Sequence, residues 1–394
     1  MSSRRRFLRD ALLGTAVVAA PSFLASCKRK DKAAREASDR ESSGELIIGS
    51  ILGLSGEDAS LGKETREGID IALQECNDAG GFKGKKVKVL YEDTRLDPNL
   101  ANEKIQKLID RDRVICVIGD AASGPTLGAR GYAEKAKVPL ISGSATNVEV
   151  TRNAKYVFRV CFTDATQGHA AAKFARETLK ADRAAIIYAT GNKYSEGLEA
   201  IFTDDFEKRG GKIVAKETYQ MGETNILTFM QKIKDADPQV LFAPVYPSDL
   251  TKIGPTKAQI GLTAQLLGTD GWDGPATRSK GVIETLEGSY FTDLFAADGP
   301  TGRKDFIAKY QGIYGKPPSS LSAGGYDAFM LVIDALGRAK SLTSEALRDA
   351  LEQTKGFTGV TGTINIDEGH NAQKPVPVMK IMNGDFKYDS QITV

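Results

Sequence analysis

RAAIIYATGNKYSEGLEAIFTDDFEKRGGKIVAKETY, Arg183–Tyr219, decides how this chain is organised. An apolar run, a polar loop, an amphipathic stretch closed by Gly-Gly and a second apolar run predict strand, loop, helix and strand. The same plan has already been used once upstream. ELIIGSILGLSG reads as a strand ending in a glycine loop, and KETREGIDIALQECNDAGG puts Ile69, Leu73 and Cys76 on one helical face before its own Gly-Gly stop. KKVKVLYED alternates as a strand, NLANEKIQKLIDRD is helical, VICVIGD is an apolar strand, and SGPTLGARGYAEKAKVPLISGSAT adds a helix and a strand ending at Ser142. Strands alternating with helices imply a parallel sheet covered on both faces. A restart of the pattern at Arg183 therefore implies two α/β units with a cleft between them. NILTFMQKIKDADPQVLFAPVYPSD and IGPTKAQIGLTAQLLGTDG extend the second unit, with Gly254 and Pro255 expected to delay its last helix.

A length of 394 residues with 41% hydrophobic content suits two lobes better than one core. Residues 1–26 hold four arginines and one aspartate, which leaves 49 Lys+Arg against 50 Asp+Glu in the rest of the chain. That near-neutral body argues against nucleic acid, which calls for a basic face. The first residues read as an export signal: SRRRFLRD, Ser3–Asp10, resembles a twin-arginine motif and is followed by the apolar ALLGTAVVAAPSFLA. Gly14 and Pro21 make that run too short and interrupted to span a membrane. LASC, Leu24–Cys27, resembles the lipobox of bacterial lipoproteins, which implies acylation of Cys27 and anchoring to an extracytoplasmic membrane face. KRKDKAAREASDRESSG has no apolar residue larger than alanine, so residues 27–44 are expected to be a flexible tether. Cys76, Cys116 and Cys161, spaced by 40 and 45 residues, match no metal or redox pattern and read as buried thiols.

In open parallel sheets the functional loops lie beyond the carboxyl ends of the strands. After VICVIG comes DAASGPT, where Ser123 precedes a helix; after PLIS comes GSATNVE, with Ser144 and Thr146. Small residues at a helix start let backbone amides approach an anion, so these adjacent turns could share one carboxylate. The second unit offers Tyr194 in GNKYSEG, Tyr246 in APVYPSD and Asp270 in GTDGWDG. The tyrosines can cover an apolar ligand, and Asp270 can accept charge-assisted bonds from an ammonium. A carboxylate site facing an ammonium site describes a binder of zwitterions. Trp272 is expected at the rim and Asp273 in an exposed turn.

Enzymatic chemistry finds few residues. The two histidines read as structural, His169 in the first turn of a helix and His370 in a surface turn. Neither stands opposite a nucleophile elbow, and H-E-x-x-H, C-x-x-C and the phosphate-loop motif are all missing from the sequence. GDAASG is not the dinucleotide fingerprint, so no cofactor and no metal is expected.

From Glu45 onward the chain resembles the branched-chain amino acid binding proteins of bacterial ABC importers, the leucine/isoleucine/valine group of type I periplasmic binding proteins. The marks are LGLSGEDASLGKETREGIDIA, NDAGGFKGKKVKVLYEDTRLDP, GSAT after its strand, YSEG, and a glycine-flanked acid after LLG. The resemblance implies two Rossmann-like lobes with parallel-sheet cores joined by a three-segment hinge, residues 45–162 with 294–375 and 163–293 with 376–394. It also implies an amino acid ligand, an ABC permease partner and closure by hinge bending. The ligand's carboxylate would fall on Ser123 and Thr146, its ammonium on the Ser144 carbonyl and Asp270, and the covering rings on Tyr194 and Tyr246. Leu61 and Leu321 stand where the founding members have aromatics in the side-chain pocket, with Ala122 and Trp272 as further candidates there.

Overall fold

The computed structural model describes residues 38, 40–300 and 302–394. The export signal and Cys27 lie outside the described residues. At the end of the stretch read as an unfolded tether, residues 40–42 are helical, as its Ala, Arg and Glu content permits.

The first sheet is built from β1 (Glu45–Leu52), β2 (Lys86–Asp93), β3 (Val117–Gly119), β4 (Leu140–Ser142) and β5 (Val157–Arg159), in the order β2-β1-β3-β4-β5 with every pair parallel. Its crossover helices are α1 (Ala59–Asp78), α2 (Pro98–Gln106) and α3 (Ser123–Ala136). The chain then passes to α4 (Asp164–Lys173) and the second sheet, which contains β6 (Arg183–Thr190), β7 (Lys212–Gln220), β8 (Val240–Phe242), β9 (Gln265–Gly268) and β10 (Tyr290–Thr292). Helices α5 (Lys193–Lys208), α6 (Leu227–Asp235) and α7 (Pro247–Ile260) connect these strands.

After β10 the chain returns to the first sheet through α8 (Lys304–Tyr314), α9 (Ser320–Arg338), α10 (Ser344–Glu352) and the small β11 (Phe357–Gly359) and β12 (Gly362–Ile364) pair. Phe329 and Val332 of α9 and Leu347 of α10 pack in one core with Ile48 of β1 and Ile118 of β3. A last crossing brings β13 (Val376–Met382) and β14 (Asp385–Ile392) back to the edge of the second sheet, antiparallel, next to β10. The fold is therefore α/β with two parallel-sheet cores, as the repeated sequence plan implies, and with the three chain passages between them that the family resemblance implies.

Helices α1 and α9 touch backbone to backbone: a Cβ on Gly68 would lie 1.8 Å from the Ser322 carbonyl oxygen, so only glycine fits. Three expectations need correction. Pro255 does not delay α7 but sits inside it; Leu250 and Ile253 bury that helix and Gly254 seats it against Thr285 and Leu286, which offsets the lost amide. His169 is the sixth residue of α4, beyond its first turn, with Nδ1 3.5 Å from Asp205. His370 does occupy a turn with positive φ, but it is buried, because its ring stacks on Phe158 at 4.1 Å and its Nδ1 lies 3.0 Å from the Val157 carbonyl. Cys76, Cys116 and Cys161 are buried thiols. Among the described residues no helix is long and apolar enough to cross a membrane.

Candidate ligand-binding site

The carboxyl ends of β3 and β4 face those of β8 and β9 across a narrow, nearly closed cavity. Leu61, Ala121, Ser123, Ser144 and Leu321 line it from the first lobe, and Tyr194, Tyr246, Asp270 and Gly271 from the second.

On the first lobe, two turns are tied to each other. Asp120, fully buried just after β3, accepts from the Thr94 hydroxyl at 2.5 Å and the Ala122 amide at 3.2 Å. Burial pushes its carboxyl up to about 6 despite these donors. The Ser142 hydroxyl donates to the Asp120 carbonyl at 2.9 Å and accepts from the Ala145 amide at 2.9 Å. The Ser144 hydroxyl donates to the Ala121 carbonyl at 3.0 Å, and Ser123 Oγ accepts from the Asn147 amide at 3.2 Å. These bonds hold the start of α3 at the cavity. The residue before that helix, Ala122, has no side-chain acceptor to give its first amides, and the Tyr246 hydroxyl of the other lobe lies at the Ser123 amide, so the positive end of a 14-residue helix faces the cavity.

On the second lobe, the Tyr194 and Tyr246 rings stack at 5.0 Å and 7°. The Tyr194 hydroxyl donates to Asp270 Oδ1 at 2.8 Å, accepts from the Gly271 amide at 2.8 Å and lies 2.7 Å from Thr269 Oγ1. Gly271 is obligatory in that contact, since a Cβ there would come within 2.6 Å of the Val245 carbonyl oxygen and 2.8 Å of the Tyr194 hydroxyl. Desolvation raises the Asp270 carboxyl to about 6, against the hydrogen bonds it accepts.

A second carboxylate stands nearby. Asp164, the first residue of α4, is fully buried, and neither of its oxygens has a hydrogen-bond partner. Burial, and next the charge of Asp270, push it well above the usual carboxylate range. The Thr146 hydroxyl sits beside it without hydrogen-bond alignment, and Thr146 Oγ1 and Gln167 Oε1 also lack partners. Arg159, the buried cation of this region, donates to the Ala145 and Asn147 carbonyls at 2.8 and 2.9 Å and to Thr151 Oγ1 at 2.9 Å, so it braces the loop after β4. Asp270 and Asp164, with unpaired acceptors around them, form a place for a hydrogen-bond donor of positive charge.

Of the residues singled out in the sequence, Ser123, Ser144, Tyr194, Tyr246, Asp270, Leu61 and Leu321 share this cavity, while Thr146 is buried behind it. Ala122 does not line it; its neighbour Ala121 does. Trp272 is not at the rim but fully buried, packed on Phe291, with its indole N–H donating to the Ala243 carbonyl at 2.9 Å. It lies over Gly268, where a Cβ would come within 2.0 Å of the ring, so the indole wedges the loop against its strand. Asp273 is not an exposed turn residue: it is buried, accepts from the Ser320 amide at 2.7 Å and pairs with Arg278 at 3.2 Å. Sequence reading passed over Asp120 and Asp164, because an acid at a turn or helix start reads as a cap until its burial is known.

The profile described as "Periplasmic binding protein" matches residues 45–385. The chain is similar to the leucine binding protein LivK of Thermotoga maritima, with 32% identity and a TM-score of 0.82 over 88% of this chain and 98% of that one. It is similar also to LivJ of Streptococcus pneumoniae, a branched-chain amino acid transporter substrate binding protein solved with isoleucine, at 29% identity and a TM-score of 0.81 over 88% of this chain and 100% of that one. An amino acid binding protein of Pseudomonas aeruginosa is 30% identical over 58% of this chain and 61% of its own length, less than two thirds of that relative. With the profile spanning nearly all of the two-lobed body, this chain belongs to the periplasmic binding protein family, whose members act outside the cytoplasm.

Proposed function

We propose that the protein captures an aliphatic or neutral amino acid in the interlobe cavity and delivers it to an ABC importer. The opposition of charge preference across the cavity carries this reading. The α3 amides and the Ser123 hydroxyl, supported by Ser144 and Thr146, suit the α-carboxylate. Asp270, with Asp164 behind it, suits the ammonium. Leu61, Ala121 and Leu321 present an apolar patch for an aliphatic side chain, and the stacked Tyr194 and Tyr246 cover it. Residues 45–162 with 294–375 would move as one lobe and 163–293 with 376–394 as the other, closing by a hinge once the first lobe has taken the carboxylate. Relatives that bind leucine or isoleucine support the ligand class. Export by the twin-arginine route and acylation of Cys27 would place the protein on a membrane, within reach of a permease.

The test is a thermal-shift screen on protein stripped of ligand by unfolding and refolding. A ligand at 100 times its Kd adds about 2.7 kcal/mol. Aliphatic amino acids should stabilise, and the same carbon skeletons without the amine should not; equal stabilisation by both would remove the zwitterion reading.

A further inference from the structure

Asp58 occupies the N-cap position of α1, yet its carboxylate makes no bond to its own helix. An aspartate there ordinarily accepts from the second or third helical amide. Instead it reaches into the other lobe: Oδ1 accepts from the Ser248 amide at 3.1 Å and Oδ2 from the Ser248 hydroxyl at 2.8 Å. Ser248 is the second residue of α7, and that helix has no side-chain cap of its own. The exchange is also made in the other direction. Asp273, on the second lobe, sends Oδ2 to the amide of Ser320, the first residue of α9 on the first lobe, at 2.7 Å. Its Oδ1 is held by Arg278 at 3.2 Å, and that guanidinium is fixed by Asp385 at 3.2 Å and by the Phe386 ring at 3.8 Å. Each lobe thus caps a long helix of the other, and neither aspartate lines the ligand cavity.

We propose that Asp58 and Asp273 are reciprocal closing clasps: caps given across the cleft, which set ligand affinity by holding the lobes together without touching the ligand. The inference rests on the hinge-closure reading above. In a hinged protein the apparent Kd is the intrinsic Kd divided by the closed fraction, so a contact made only on closure acts on affinity as directly as a ligand contact does.

The experiment compares native protein with Asp58→Ala, using L-leucine as the probe. Two quantities are read: leucine association and dissociation by stopped flow, and amide exchange at Ser248 by NMR. The clasp predicts a dissociation rate raised by about ten-fold, the loss expected for a charge-assisted pair, with association within about two-fold. The relative affinities of leucine, isoleucine and valine should stay fixed, and exchange should speed up at Ser248 but not at Ile253. Ser248→Ala, which keeps the amide, should give a smaller effect, and the double variant should be non-additive. Unchanged dissociation with unchanged Ser248 exchange overturns the proposal, as does a slower association or a reordered ligand preference. If native protein binds no leucine, the amino acid reading fails by itself; the same rate and exchange comparison with the compound that most stabilises native protein in the thermal-shift screen then decides the clasp.

Discussion

Asp270→Asn isolates the charge at the amine end of the site. The asparagine has the shape of the aspartate and can still accept from the Tyr194 hydroxyl, now 2.8 Å from Oδ1, so the loop over Trp272 should keep its form. What is lost is the negative charge facing a buried ammonium. Removing one partner of such a pair costs about 2–4 kcal/mol, which is a Kd raised by roughly 30- to 900-fold. Asp164, fully buried beside it, remains as a second acceptor for the ammonium, which argues for the lower half of that range. The same substitution should raise the melting temperature of stripped protein, because desolvation alone lifts this carboxyl to about 6 and its ionised form is a burden to the fold. Calorimetric titration with L-leucine, beside a melting curve of the stripped protein, reads both. Near-native affinity in Asp270→Asn would refute the assigned role, and a loss of affinity together with a lowered melting temperature would point to a damaged fold instead.

Further predictions follow from the same geometry. Asp120 and Asp270 both have carboxyls raised from 3.8 to about 6, so their protonated forms favour the folded state and their contribution to ligand-free stability falls as pH rises between those values. Leucine affinity should run the other way, strengthening through about pH 6 as Asp270 ionises; urea midpoints and titrations at pH 5 and 7.5 check the two trends. Gly68→Ala puts a methyl 1.8 Å from a backbone oxygen and should cost about 1–3 kcal/mol or more in denaturant titration, through the α1–α9 contact. Gly271→Ala should abolish most binding while leaving the far-ultraviolet spectrum unchanged, since it displaces the Tyr194 hydroxyl and with it Asp270. Cys27→Ser should leave binding unchanged and shift the protein from the membrane fraction to the soluble fraction of fractionated cells.

Much of this molecule is legible in its sequence because two periodicities repeat. The restart at Arg183 implies two sheets, and the strand-end rule points to Ser123, Ser144, Tyr194, Tyr246 and Asp270, which share the cavity. The rest depends on which residues meet across the cleft. Trp272 and Asp273 sit in a glycine-rich turn that looks exposed locally, but the strand beneath and α9 beyond bury them. Asp58, Asp120 and Asp164 share one local signature, an acid at a turn or helix start, and the structure gives each a different task. One reaches across to another helix, one ties three turns together, and one stands unpaired beside Asp270. Pro255 shows the converse, a strong local breaker overruled by the burial of its helix.

The central claim is an amino acid held by opposite chemistry on the two lobes, and a crystal structure with the most stabilising amino acid tests it most directly. The ligand's carboxylate should lie within hydrogen-bond reach, about 3.2 Å or less, of Ser123 and the first α3 amides, and its nitrogen within the same reach of Asp270. A ligand bound with its nitrogen toward α3, or seated outside the space between Leu61, Ser123 and Asp270, would contradict the account.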